Sequence, residues 1–271
     1  MLAWNILPIV ALLNFAVGFT VLRRDFRALV NWLFVAFAWS VGLWVAVDYL
    51  LMESWSQQSA ILFETLAHLM GVFIAATLWL FSRSFIQHKG MVLKKEWALV
   101  GVPTFLMSAY TLWPGALAKT AVLHPWGPEV FIQPAYHITF TIFFAIFFFH
   151  GLYTLARYVR HGTKRMACHQ AQCLTRGIVF AAVGGIFFDI ILISPFIQQQ
   201  QFTWVGPIFT IGIIFGTWWA RKWYFFGIPM AANVAVHMDD DLAPLRWLMK
   251  LLKSIKHTMR RSSRAIVSPP V

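Results

Sequence analysis

Long apolar stretches that carry almost no charge recur along this 271-residue chain and define its predicted elements. Each is close to the roughly 17–25 residues with which a helix crosses a bilayer, and none shows the two-residue alternation of barrel strands. The stretches are Met1–Leu22, Ala28–Met52, Ile61–Ser82, Trp97–Trp113, Ala135–Ala156, Gly177–Ile197 and Phe202–Ala220. The pattern predicts an all-α polytopic membrane protein, a seven-transmembrane helix bundle.

Basic residues alternate between the two sides of these predicted spans. Of 22 Lys and Arg residues, 21 follow an odd-numbered span, and only Lys119 follows an even-numbered one. The positive-inside rule makes the basic side cytoplasmic, so we expect the N-terminus outside and the C-terminus in the cytoplasm. The first span lacks a basic leading region and a small-residue cleavage site, which predicts that it is not removed.

Composition excludes a water-soluble globule, since 59% of the residues are hydrophobic and 12% are charged, against about a quarter charged in soluble domains. The net charge of +12 lies in the cytoplasmic loops and the tail, so it indicates the lipid bilayer as partner and not nucleic acid. Two cysteines cannot form a disulfide framework.

Ionisable groups within the spans are few, and most fall at the predicted depth of the outer leaflet. Such groups are costly in a bilayer and are therefore functional candidates. We predict that they line an outward-facing ligand pocket together with two aromatic neighbours. The predicted pocket residues are Asp48, Glu64, His68, His137, Asp189, Trp44 and Tyr49.

An alternative assigns these side chains no ligand. Asp48, Glu64 and His137 lie within about one helical turn of the predicted boundary and can reach the interface, as snorkelling side chains do. Asp189 would then hydrogen-bond a neighbouring helix. His68 and Asp189 lie deeper, which makes them the stronger pocket candidates.

The spacing of metal-binding and nucleophilic residue types argues against an enzyme. No two of the nine histidines lie four residues apart, as intramembrane zinc hydrolases would require. Cys168 and Cys173 are five apart, which turns their thiols about 140° away from each other on a helix. The seventh span has no lysine for a retinal Schiff base. We therefore predict no metal site, no cofactor and no enzymatic activity.

Two further features leave alternatives open. The connection Pro114–Pro134 is the one long outer segment, and it is either a rigid connector or a lid over a ligand. Gly212 and Gly216 form a small-residue pair four apart, which suits either a homodimer or packing within the chain.

The tail differs in kind from the preceding residues, so we divide the chain into a membrane domain, residues 1–229, and a cytoplasmic segment, residues 230–271. Met238–Arg261 predicts a basic amphipathic helix, which would lie on the anionic leaflet or pack against a partner helix. Its proposed contact residues are Arg246, Lys250, Lys253 and Arg260. The last ten residues, 262–271, are predicted to be disordered.

Short motifs in the second half give the chain a family resemblance. They are a basic loop with Gln170 that leads to Gly177, then Pro195, Gly206-Pro207, an aromatic run Trp218–Phe226 containing Arg221, and Gly227-Ile228-Pro229. In these features residues 1–230 resemble the seven-transmembrane N-terminal sensor region of bacterial histidine kinases, a module also found ahead of diguanylate cyclases.

The resemblance implies sensing in a bacterial inner membrane. Members usually continue into a PAS, kinase or cyclase domain, and this chain is expected to act without one of its own. We therefore expect a receptor that binds a small or lipophilic signal and passes it through the last helix and tail to a separate cytoplasmic kinase or cyclase. The alternative is a small-molecule or ion-coupled transporter that uses the same carboxylates.

Overall fold

Helices make up most of the structure, a computed structural model that describes residues 4–23, 25–86, 94–162, 165–191 and 204–222. All of these belong to one compact unit. The elements are a 3-10 turn Trp4–Ile6, α1 Leu7–Leu22, α2 Leu29–Met52, α3 Gln57–Ile86, α4 Lys94–Leu112, β1 Ala118–His124, β2 Gly127–Ile132, α5 Pro134–His161, α6 Arg165–Gly185, a π-helical stretch Ile186–Ile191, α7 Val205–Ile208 and α8 Ile211–Lys222. The predominantly helical fold agrees with the prediction.

Four helices of the described chain are long and apolar enough to cross a membrane. They are Leu29–Met52, Gln57–Ile86, Pro134–His161 and Ala167–Ile191. Two further apolar helices, Leu7–Leu22 and Val205–Ala220, are shorter. The fourth predicted span corresponds to α4, whose first turn carries Lys94, Lys95 and Glu96. The structure therefore supports a helical membrane protein, with four helices that meet the requirements for a span.

The helices around the sixth and seventh predicted spans differ from the simple apolar runs. The sixth helix begins at Arg165, well before the apolar run at Gly177, because its first turns are polar and still helical. It ends in the π-helical stretch Ile186–Ile191. The seventh predicted span is interrupted at Phe209-Thr210, between α7 and α8. The regular hydrogen-bond ladder is thus altered in both helices, and α7 packs against the π-helical stretch.

Six helices pack in a closed ring. Along this ring, α1 packs on α2, α2 on α3, α3 on α5, α5 on α6, α6 on α8, and α8 returns to α1. The remaining long helix, α4, packs against α3 and α5, and its large side chains Leu99, Phe105 and Leu106 are exposed. It therefore lies outside the ring.

The surface of α5 shows what the outside of the ring faces. Ile138, Ile142 and Ile146 are spaced four apart and exposed, so they form an apolar stripe along one side of the helix. On the opposite side, Phe140 and Phe148 are buried. Large apolar side chains exposed along the length of a helix fit a lipid environment and are unusual on a soluble protein.

The small-residue pair in the last helix is used within the chain. A Cβ atom on Gly177 of α6 would collide with the backbone of Gly212 and would lie 3.1 Å from Cα of Gly216. The two helices approach so closely that only glycine fits at their crossing. Of the two alternatives for Gly212 and Gly216, the structure shows internal packing.

A two-stranded antiparallel hairpin adds a feature that the all-α prediction lacked. Strands β1 and β2 pair with His124 opposite Gly127 at the tip, and β2 buries Pro128, Val130 and Ile132 in alternation. The hairpin packs against α2 and α3. The run Val130-Phe131-Ile132, which follows a Pro-Trp-Gly turn, is the sequence signal that could have predicted this strand.

Candidate functional site

A cavity with about 840 Å³ of empty space, including the space at its opening, lies inside the ring of helices. Side chains from α2, α3, α5, α6, the π-helical stretch and the start of α8 line it. The lining residues are Phe37, Val41, Trp44, Asp48, Leu51, Glu64, Ala67, His68, Gly71, Ile74, Phe140, Phe144, Phe148, Ile178, Ala181, Ala182, Gly185, Ile186, Asp189, Ile190, Thr210 and Ile213. Most are apolar, and the polar ones are concentrated toward one end of α2 and α3.

Glu64 and His68 form a pair on α3, which presents them on one face because they are four residues apart. His68 Nδ1 lies 3.2 Å from Glu64 Oε1 and 3.1 Å from the Glu64 main-chain oxygen. The imidazole ring packs edge-on against Tyr136 and Phe140 of α5, with centroid distances of 5.6 and 4.9 Å. These contacts fix the His68 ring at the wall between α3 and α5.

Asp48 contributes a second carboxyl group from α2. Its side chain is buried, with 6% exposure, and its Oδ2 atom has no hydrogen-bond partner among the described residues. A buried acceptor without a partner is costly, since burial removes the water that would otherwise hydrogen-bond to it. Within the described residues, Asp48 Oδ2 therefore forms no hydrogen bond to a neighbouring helix.

Asp189 contributes the third carboxyl group from the π-helical stretch. Its Oδ2 atom is also buried without a hydrogen-bond partner among the described residues. The carboxyl group packs directly on Gly206 of α7, and a Cβ atom at that position would collide with it. Glycine at 206 thus makes room for Asp189, which ties the carboxyl group to the interrupted helix.

Thr210 connects the cavity to α1. Its hydroxyl donates to the Pro207 carbonyl at 2.7 Å and accepts from Asn14 Nδ2 at 3.2 Å. The same Asn14 nitrogen donates to the Val10 carbonyl at 2.9 Å. The beginning of α8, which lines the cavity, is therefore held to α1 by a buried polar contact.

The cavity brings together most of the predicted pocket residues. Trp44, Asp48, Glu64, His68 and Asp189 all line it. The set joins α2 and α3 with the end of the sixth helix, which lies far away in sequence.

Two predicted residues, Tyr49 and His137, do not line the cavity. Tyr49 follows Asp48 by one residue, so it is turned by about 100° and packs with the Leu7, Val10 and Ala11 cluster of α1. His137 is buried near the start of α5, before Phe140, where the lining of that helix begins. Its Nδ1 has no hydrogen-bond partner among the described residues.

Sequence reasoning missed the aromatic wall of the cavity. Phe140, Phe144 and Phe148 lie four apart on α5 and face inward. Their spacing was visible, but α5 also carries phenylalanines at other positions, so the sequence did not identify the inward set. Neither hairpin strand contributes a lining residue. The segment Pro114–Pro134 forms a folded hairpin that packs on α2 and α3.

The site is a mostly apolar cavity with three carboxyl groups in its lining. Within the described ranges, no group of three or more His, Cys, Asp or Glu side chains is arranged to hold one metal ion. The proposed surface contacts Arg246, Lys250, Lys253 and Arg260 lie outside the described residues.

Comparisons of the chain with models of known protein families and with curated proteins found no match.

Proposed function

We propose that this chain is a membrane sensor that binds a small or lipophilic signal in the cavity and transmits its presence through the sixth and last helices. The observation that carries the proposal is the shared lining: Asp48 and Glu64 come from the packed α2–α3 pair, whereas Asp189 and Thr210 come from interrupted helices. A ligand that touches both sets changes the relative energy of two helix arrangements.

The interrupted helices are suited to shift when a ligand binds. The π-helical stretch and the break at Phe209-Thr210 contact each other beside the cavity, where the backbone ladder is already irregular. The α6–α8 contact through Gly177 and Gly212 would carry a displacement along both helices. From there the signal would pass to the tail and to a separate cytoplasmic kinase or cyclase, as the family resemblance suggests.

A side chain that fills the cavity tests this coupling without knowledge of the ligand. Ala182→Phe adds a ring inside the cavity, whereas Val183→Phe adds the same ring to an exposed site on α6. In lipid nanodiscs, we expect only Ala182→Phe to shift the distance between spin labels at Trp97→Cys and Trp218→Cys, in a background that lacks Cys168 and Cys173. Identical distances in both variants would contradict the coupling.

The proposal includes seven spans in a bacterial inner membrane, with the N-terminus outside. Lys119 on β1 is exposed and would face outward, whereas Lys94 at the start of α4 is exposed and would face the cytoplasm. In spheroplasts, a membrane-impermeant maleimide should label Lys119→Cys at once and Lys94→Cys only after permeabilisation. The reverse order would overturn the orientation.

A transporter is the second candidate, and the interrupted helices favour it. Carriers commonly place carboxylates beside broken helices, as here with Asp189 and the α7–α8 break. Flux separates the two functions, because a carrier moves its ligand across the bilayer and a sensor does not. Uptake of a cavity ligand into proteoliposomes that Ala182→Phe abolishes would replace the sensor proposal with the carrier.

A further inference from the structure

The ionisable side chains that line the cavity are mostly acidic. Asp48, Glu64 and Asp189 provide three carboxyl groups and His68 provides one imidazole, which Glu64 already contacts. The lining contains no lysine or arginine from the part of the chain that the structure describes. A carboxyl group in an apolar surrounding is either protonated or paired with a cation, and in this lining such a cation would come from a guest.

Acceptor atoms are also left over. Asp48 is 6% exposed, and its Oδ2 is buried without a hydrogen-bond partner within the described ranges. Asp189 Oδ2 is likewise buried without a hydrogen-bond partner there, and it comes from a different helix. Two side chains that line one cavity thus each have an acceptor without a partner among the described residues, and a ligand that carries N–H groups would supply the missing donors.

The remainder of the wall is aromatic. Trp44 lies one helical turn from Asp48 on α2, and Phe140, Phe144 and Phe148 form a row on α5. Aromatic faces attract cations, most strongly where water is excluded, and they also bury the apolar part of a ligand. The carboxyl groups are not grouped for a single metal ion within the described ranges, and the long, mostly apolar lining suits an organic guest.

We propose, building on the sensor function above, that the cavity binds an organic ammonium ion with an apolar body. The ammonium group donates hydrogen bonds to Asp48 and Asp189, and the apolar body packs along the phenylalanine row. The guest supplies the positive charge that the lining lacks. The same chemistry holds whether the ammonium ion reaches the cavity from water or from the bilayer.

Three probes that share a phenethyl body test the charge requirement. Tritiated phenethylammonium is bound to the full chain in phosphatidylcholine nanodiscs, with empty nanodiscs as blanks. Phenethyl alcohol and hydrocinnamate, which are neutral and anionic, serve as competitors. We expect phenethylammonium to bind at least about tenfold more tightly than either competitor, since a charged hydrogen bond is worth more than a neutral one.

Variants locate the binding. Asp48→Asn and Asp189→Asn should each weaken phenethylammonium binding by about tenfold or more, and Ala182→Phe should abolish it. Glu53→Gln is the matched control, because Glu53 lies just beyond the end of α2, is exposed and does not line the cavity. Its affinity should equal that of the unmodified chain. The selectivity among probes needs no variant, so it remains decisive if a substituted chain fails to fold.

The outcomes separate this inference from the sensor function. Equal or tighter binding of the alcohol or of hydrocinnamate, abolished by Ala182→Phe, would overturn the cation requirement and leave the cavity as a ligand site. Phenethylammonium binding that persists unchanged in both aspartate variants would also overturn it. Failure of the spin-label test, with ammonium binding intact, would remove the sensor function and leave the ligand class standing.

Discussion

The two ends of α3 solve the problem of buried polar groups in opposite ways. At the Arg83 end, two polar contacts join neighbouring helices: Arg83 binds Glu96 of α4 at 2.6 Å, and Trp79 Nε1 donates to His150 Nδ1 of α5 at 2.6 Å. At the Glu64 end, the cavity holds three carboxyl groups, and two of them have an unpartnered oxygen within the described residues.

We attribute the paired end of α3 to the stability of the helix bundle and the cavity end to ligand binding. Partnered groups that link α3 with α4 and α5 stabilise the packing of those helices. Groups that are left without partners do not stabilise the fold, and their cost is expected where a ligand completes the site. The comparison predicts opposite signs for substitutions at the two ends.

Removal of Glu96 should have the largest effect on stability. Glu96→Ala leaves Arg83 without its carboxylate, and we expect a loss of about 2 kcal/mol in the free energy of unfolding, reduced from the buried-pair range because Arg83 is partly exposed. Reversible unfolding in a detergent titration measures it. Glu96→Gln keeps an acceptor and should lose less. No loss in Glu96→Ala would show that the ion pair does not stabilise the fold.

Trp79→Phe should have the next largest effect. It removes the donor to His150 and replaces the indole that stacks on that imidazole by a smaller ring, for a loss of about 1 kcal/mol in the same titration. Trp97→Phe is the matched control, because the Trp97 ring is 42% exposed on α4. Equal losses in both variants would mean that the contact with His150 contributes nothing.

Asp48→Asn should change stability in the opposite direction. With no ligand present, replacement of an unpartnered buried carboxyl group by a neutral amide should leave the free energy of unfolding unchanged or raise it by up to about 1 kcal/mol. A loss of similar size to that in Glu96→Ala would mean that Asp48 has a structural role, and the comparison would fail.

Tyr49→Phe should have the smallest effect. Tyr49 packs toward α1 and does not line the cavity, so loss of its hydroxyl should change neither phenethylammonium affinity nor stability by more than about 0.5 kcal/mol. Trp44→Leu, one helical turn from Asp48, should weaken binding measurably. Equal effects of the two substitutions on affinity would show that the cavity wall is assigned to the wrong face of α2.

Much of this site follows from the sequence because charge is rare in apolar helices. Asp48, Glu64, His68 and Asp189 stand out in long uncharged stretches, and the alternation of basic residues placed them at a common depth. Depth alone does not give the helix face, which is why Tyr49 was included with the pocket.

The remaining features depend on contacts between distant segments. The π-helical turn that carries Asp189 and the break before α8 leave little trace in hydrophobicity, since both lie in apolar runs. The early start of α6 at Arg165 was hidden because polar helical turns resemble a loop in a hydropathy pattern. The inward row of phenylalanines on α5 is defined only by the helices that surround it.

The central claim is that the unpartnered carboxyl groups hold a cation, and a distance measured in the complex tests it most directly. Rotational-echo solid-state NMR on the full chain in lipid, with ¹³C-aspartate and ¹⁵N-phenethylammonium, reports which carboxyl carbons lie near the ammonium nitrogen. We predict aspartate carboxyl dephasing that corresponds to about 3.5–4 Å, as a hydrogen bond requires, reduced in Asp48→Asn and in Asp189→Asn. Bound probe that dephases no aspartate carboxyl carbon would contradict the claim.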